Sequence, residues 1–344
     1  MVIFARTLAI SFPLGSVTQH MAFLFSSFDE SADKHREHVF VVAGWLGYQS
    51  EWWDIESKWV RRLEREDNPE PMKYYSDKEW RSLTGQFARF RDPNKYPRPK
   101  GRDAANKIRD DLSAILRTSP IAGFGFGILL KDYRAVRRST RARKVLPSDP
   151  YIQAYQQIMV LVAAKLQEEK PSDWVAFLCD EHDKSADVKA LYSEFKKMNP
   201  ICGTCMGSLN YMEDEESPAL QAADLLAGIC KDDFLERITK PDATRARDDL
   251  KQRFGGRLEV SYWNKTFMEL LVNANLLRQG KPSIGSTQQL TLYADLLTRG
   301  SIATKSDFDN FSEVTKAPLG GPQNRNRQDT QGIGTGTNRK HRPK

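Results

Sequence analysis

Apolar and polar positions divide the chain into alternating strand-like and helix-like blocks. Met21–Phe28 (M-A-F-L-F-S-S-F) is short, aromatic and apolar and reads as a buried strand that runs into Asp29, Glu30 and Ser31. A polar turn at Asp33–Glu37 leads to a second apolar run, His38–Leu46, and the two predict an antiparallel hairpin. Glu51–Arg65 carries Trp52, Ile55, Trp59 and Leu63 at helical spacing, and Arg102–Arg117 carries Ala105, Ile108, Leu112 and Ile115 in the same way. Between them, Lys73–Pro99 predicts a short helix followed by a Pro-rich loop from Asp92. Ile121–Leu130 alternates glycine with large apolar residues, as expected of a central strand with one face closely approached by another element.

The second half continues in the same manner. Tyr151–Glu169 predicts a long helix, Asp173–Cys179 a strand ending in Asp180 and Glu181, Ala186–Met198 a helix and Gly203–Leu209 a short strand. Ser217–Gly228 (S-P-A-L-Q-A-A-D-L-L-A-G) opens as a helix, with Ser217 as N-cap and Pro218 in the first turn, and turns polar over Ile229–Glu236. Nearly every position from Ala219 on is apolar, which predicts burial on more than one side. Beyond Thr239 the pattern predicts a charged helix to Gln252, a strand at Leu258–Trp263, an apolar helix at Phe267–Leu277 and a weaker helix at Gln288–Leu297.

Composition changes this picture at the two ends. Residues 316–344 are rich in Gly, Gln, Asn, Thr, Pro and Arg with almost nothing apolar, and seven Lys or Arg against one Asp give them about six net positive charges; they are expected to be disordered. Met1–Ser16 has its single Arg inside the apolar run and no A-x-A site after it, unlike a signal peptide, so residues 1–20 read as an extension and Met21 as an alternative start. The expected organisation is therefore residues 21–239 as the main domain, 240–315 as a mostly helical extension packed on it, and 316–344 as a basic tail. In 344 residues, 40% are hydrophobic and 28% charged, ordinary values for a soluble globular protein. No run reaches the length of a membrane span. Four cysteines are too few for a disulfide framework and point to a reducing, cytoplasmic setting.

A net charge of +7 makes an anionic partner plausible, nucleic acid first. The densest ordered-looking basic stretch is Lys131–Lys144, where Lys131, Arg134, Arg137, Arg138, Arg141, Arg143 and Lys144 face a single acid, Asp132. Cys202-Gly-Thr-Cys205 lacks the second pair that a zinc site needs and reads as reduced thiols on a strand. Gly123, Gly125 and Gly127 lack the lysine of a phosphate loop, and no helix is expected to follow them. Trp45, Trp52, Trp53 and Trp59 have core spacing rather than the look of a base-stacking platform.

Asp224, alone among apolar neighbours, is the costly residue. A carboxylate taken out of water without a partner costs several kcal/mol or protonates. Leu220, Ala223 and Ala227 offer it no local cation, so either a distant Arg or Lys pairs with it or a metal ion is shared with other carboxylates. Two strand-end groups, Asp29 with Glu30 and Asp180 with Glu181, are the available sharers if the strands lie side by side and the helix packs across them. An all-oxygen set of this kind suits Mg²⁺ or Mn²⁺ and phosphodiester cleavage, with Lys131–Lys144 holding a nucleic-acid backbone.

The strings F-S-S-F-D-E-S, V-F-V-V-A-G-W, F-L-C-D-E and S-P-A-L-Q-A-A-D-L-L-A-G together resemble the bacterial family known as domain of unknown function 3800, over about Met21–Glu236. The resemblance implies a ribonuclease-H-like α/β fold, with a mixed central sheet flanked by helices. It also implies acids at Asp29, Asp180 and Asp224 as metal ligands, with Glu30 or Glu181 as an additional catalytic group. Two positions depart from the family pattern: Ala32 stands in place of a Gly after D-E-S, and Ser76 in place of a His. The expected activity is divalent-metal-dependent cleavage of nucleic acid. The alternatives are an inactive nucleic-acid-binding or accessory protein on the same fold, and a nucleotide phosphohydrolase.

Overall fold

The structure, a computed structural model, describes residues 20–27, 38–65, 68, 71–97, 99–169, 173–181, 185–198, 200–239, 250, 254 and 257–278, with backbone alone in the first of these segments and at a few helical positions. It is an α/β fold built on one six-stranded mixed sheet. The strands are β1 (His20–Ser27), β2 (Val39–Tyr48), β3 (Ala122–Leu129), β4 (Val175–Asp180), β5 (Met206–Met212) and β6 (Leu258–Trp263), in the order β5-β4-β1-β2-β3-β6. β1, β2 and β3 form an antiparallel meander, β4 runs parallel to β1, β5 parallel to β4, and β6 parallel to β3. The expected hairpin is present, with Phe23 opposite Trp45. The glycine-rich strand is an interior strand as expected: β3 pairs with β2 on one side and with β6 on the other.

The helices are α1 (Gln49–Leu63), α2 (Asp77–Ser82), α3 (Lys100–Thr118), α4 (Leu130–Arg137), α5 (Pro150–Glu169), α6 (Ser185–Met198), α7 (Pro200–Cys205), α8 (Pro218–Thr239) and α9 (Lys265–Arg278). Strand alternation assigns them to two layers. On β2, Trp45 points to α8 and donates its indole N–H to the Ala222 carbonyl at 2.9 Å, while Phe40 points the other way, its ring 5.6 Å from that of Tyr151 on α5. α8 therefore crosses one face of the sheet, with α1 and α3 packed outside it, and α5 covers the other face together with α6 and α7.

Trp52, Ile55, Trp59 and Leu63 are all buried, so the apolar stripe of α1 faces the core as its spacing predicts; full burial of each such side chain contributes roughly 1.5–3 kcal/mol. Trp53, one position off that stripe, is exposed. Close approach explains the glycines of β3, since a Cβ at Gly125 would lie 2.9 Å from Cys230 Sγ on α8. Contrary to expectation, a helix does follow these glycines, α4; they lie within the strand, not in a loop cradling phosphate. A second correction concerns Gly203–Leu209. The C-G-T-C run belongs to α7, and the strand begins only at Met206, so Cys205 is a buried thiol on a helix.

The turn Asp33–Glu37, most of the segment to Gln252, the Gln288–Leu297 helix and both chain ends lie outside the described residues. Among the described residues no helix is long and apolar enough to cross a membrane.

Candidate functional site

Two apolar elements deliver acids to one region. β4 is buried along its length and ends in Asp180, flanked by β1 on one side, where Leu24 pairs with Cys179, and by β5 on the other, where Met212 pairs with Asp180. The strand ends expected to be neighbours are thus neighbours, although Asp29 and Glu30 themselves lie outside the described residues. Asp180 Oδ1 accepts the backbone N–H of Asp214 at 3.2 Å. Its acidity is weakened to about 7, first by burial and then by the charge of Asp214, with the backbone N–H groups of Asp214 and Glu181 acting in the opposite direction. Glu181 turns outward; its backbone N–H bonds the Met212 carbonyl and its side chain is exposed.

The second element is α8. Ser217 Oγ accepts the Leu220 N–H at 3.3 Å, as an N-cap should, and the helix is buried continuously from Pro218 to Lys231. Asp224 is only 6% exposed. Its Oδ2 accepts the backbone N–H of Asp77, the first residue of α2, at 2.7 Å. This partner is a backbone amide, different from the Arg, Lys or metal ion that the sequence suggests.

One turn earlier on the same face, Gln221 Oε1 accepts the Tyr75 N–H at 3.0 Å and the Trp59 indole N–H at 2.9 Å, and its Nε2 donates to the carbonyls of Asp214 (3.1 Å) and Glu215 (3.4 Å). One turn later, Gly228 leaves room for Asp77: a Cβ there would lie 2.2 Å from Asp77 Oδ2. Gln221, Asp224 and Gly228 share one helical face and together seat the Tyr75–Asp77 backbone.

Asp77 is itself buried and well partnered. Its carboxylate takes Arg81 Nε at 2.5 Å, the Tyr75 hydroxyl at 3.2 Å and an ion pair with Arg109 at 3.4 Å. Asp224 is pushed well above the ordinary carboxylate range by burial, then by the Asp77 charge, with Asp214 adding to the rise; the Asp77 N–H and Lys231 oppose it. Lys231, a buried residue two turns along the same helix, corrects the expectation that no local cation faces Asp224.

Asp214 connects the two elements and is the residue that sequence reasoning missed. It occupies a 3-10 turn, Asp214–Glu216, between β5 and α8, and its charge acts on both Asp180 and Asp224. Its own acidity is also weakened by burial. The available signal was its place in E-D-E-E, directly after a strand and before the cap of a buried helix. Among the described residues, no group of three His, Cys, Asp or Glu is arranged to hold a metal ion.

No family model matches the chain, and no curated protein matches it. The geometry therefore stands by itself. Asp180, Asp214 and Asp224 all carry carboxyl groups whose ionisation burial disfavours. Of the predicted basic residues, Arg134, Arg138, Arg141, Arg143 and Lys144 are exposed on α4 and the turn after it. Arg137 donates to the carbonyls of Leu146 and Ser148, and Arg143 to that of Arg138. This ribbon follows the C-terminal end of β3, the sheet edge at which β4 also ends, and three strand spacings of about 4.8 Å separate the two strands.

Proposed function

We propose that the protein is a ribonuclease-H-like enzyme that cleaves phosphodiester bonds in nucleic acid with a divalent metal ion. The observation that carries this reading is the pairing of β1 with β4 inside the order β5-β4-β1-β2-β3. A mixed sheet flanked by helices is what the family resemblance implies, and this pairing lays the Asp180 strand end against the strand that leads to Asp29 and Glu30. The resemblance to the family known as domain of unknown function 3800 points the same way.

Asp180 and Asp224 would hold the ion, with Asp29 as the further ligand that the family resemblance implies. When bound, Mg²⁺ or Mn²⁺ would activate a water and stabilise the leaving oxygen. The chain's own groups contribute in other ways. Burial raises Asp180 to about 7, a rise that a cation beside it would reverse, and Asp214 holds it in place through its backbone N–H. Gln221 fixes the Asp214 turn.

A second reading is favoured by one observation: Asp224 already accepts the Asp77 N–H, so it has a structural task. On that reading the same fold binds nucleic acid without cleaving it. Asp224→Asn separates the two, because an amide oxygen still accepts the Asp77 N–H while the negative charge is gone. Cleavage of labelled single-stranded, duplex and hybrid substrates is measured with Mg²⁺, Mn²⁺ or EDTA. Metal-dependent cleavage that disappears in Asp224→Asn at unchanged melting temperature supports the enzyme; no cleavage of any substrate by the wild type rejects it.

A further inference from the structure

The segment 71–102 holds nine lysines and arginines against three acids, a net excess of six that equals the excess of the ribbon after β3. Its acids are engaged with neighbouring groups of the segment and the fold. Asp77 is tied to Arg81, Arg109 and Tyr75, Glu79 accepts the Tyr74 hydroxyl and the Gln86 N–H, and Asp92 accepts the Asn94 N–H. Lys73, Lys78, Arg91, Lys95 and Lys100 are exposed. Lys73, Lys78 and Lys100 enter no ion pair among the described residues.

The segment is also held rigidly. Phe87 and Phe90 are buried, the Tyr75 ring packs edge-on to Phe87 at 5.8 Å, and Arg102 donates to the carbonyls of Trp80 and Arg81. Arg81 makes a two-point contact with Asp232 on α8, both distances 2.9 Å. The base of the surface is therefore the helix that carries Asp224, and its nearest backbone group is 2.7 Å from the Asp224 carboxylate. The ribbon after β3, by contrast, is three strands removed from Asp180, and Asp132 ties it to α9 through the Lys265 N–H.

We propose that the basic surface of residues 71–102, rather than the Lys131–Lys144 ribbon, is the main seat for the phosphate backbone of a nucleic-acid strand. This inference rests on the nucleic-acid part of the reading above and not on cleavage. Phosphates would contact Lys73, Lys78 and Lys100, and Asp214 and Glu215, whose charges act on Tyr74, mark the acidic side of the surface.

The test uses the full chain in EDTA, where binding is read without cleavage. Fluorescence anisotropy of labelled strands of about 20 nucleotides is followed between about 50 and 200 mM salt. The triple variant Lys73→Glu, Lys78→Glu, Lys100→Glu is compared with Lys131→Glu, Arg134→Glu, Arg138→Glu. The first set is expected to weaken binding by about tenfold or more and to flatten the log K against log salt slope by about 2, at ~0.7 per lost contact on a single strand. The second set is expected to change binding by less than about threefold.

Unchanged binding in the first set, or the whole loss in the second, overturns the proposal. So does a wild type that binds phosphatidylserine vesicles or a polyglutamate peptide but no nucleic acid. If the glutamate triple does not fold, glutamine at the same positions must still flatten the slope. A wild type that binds but never cleaves counts against the enzyme alone, leaving this inference supported.

Discussion

Asp180→Asn gives the sharpest physical test, because its effect on stability must change with pH in a known direction. The folded protein holds the Asp180 proton to about 7, against an ordinary value of 3.8. Between roughly pH 4 and 7 the native state therefore binds more protons than the unfolded chain, and stability falls as pH rises through that window. The loss is complete above about 7 and absent below about 4. Some three pH units at ~1.4 kcal/mol each set a ceiling of about 4 kcal/mol. Asp180 is only part-buried, so screening by water reduces this to about 2 kcal/mol. Asparagine keeps an oxygen for the Asp214 N–H and removes the ionisation. Thermal melts in EDTA should then show the variant about 4 °C above wild type near pH 8 and close to it near pH 5. A difference that is the same at both pH values, or a variant less stable near pH 8, would refute the assignment of a strained carboxylate at this strand end.

Three further outcomes follow from the same contacts. Adding Mn²⁺ to saturation near pH 8 should raise wild-type stability, by about 2.7 kcal/mol at a hundredfold excess over Kd, and should leave Asp180→Asn and Asp224→Asn almost unmoved; equal shifts in all three proteins would place the ion elsewhere. Gly228→Ala should cost about 3 kcal/mol in urea melts, because its Cβ would meet an Asp77 carboxylate that Arg81 and Arg109 hold in place, and a cost below ~0.5 kcal/mol would show that α2 lifts away freely. Gln221→Ala should cost a similar amount, about 3 kcal/mol, since it strands the buried Trp59 indole N–H and the Tyr75 N–H; full stability would mean that water replaces the amide.

Local periodicity carried much of the architecture. The stripe of α1, the β1–β2 hairpin and the apolar β4 all follow from side-chain spacing, which acts within a few residues. Sheet order does not, because β6 reaches β3 across more than a hundred residues and moves that strand away from the edge only by pairing with it. The C-G-T-C run misled for a different reason: six residues give too little periodicity to separate a short helix from a strand. At the site, the burial of Asp224 was legible from its neighbours, but its partner was not. The donor is a backbone N–H 147 positions earlier, and a backbone amide leaves no residue-specific trace. Asp214 was hidden by its setting, since a run of four acids reads as solvated surface although this one is held inward by Gln221.

The contacts of Gln221, Asp224 and Gly228 explain much of L-Q-A-A-D-L-L-A-G without any chemistry, since all three hold the Tyr75–Asp77 backbone. That account does not explain why position 224 is a carboxylate. An asparagine would accept the Asp77 N–H through its amide oxygen and would avoid placing a charge in a buried site beside Asp77. Asp180 poses the same question, for its bond to the Asp214 N–H also needs only a neutral oxygen. Both residues keep an ionisable group where burial and the shared neighbour Asp214 disfavour ionisation. A cation beside either carboxylate would reverse that balance there, and the hydrogen bonds alone need only a neutral oxygen. The pair, more than Asp224 alone, is therefore the physical argument for the proposed metal-dependent site.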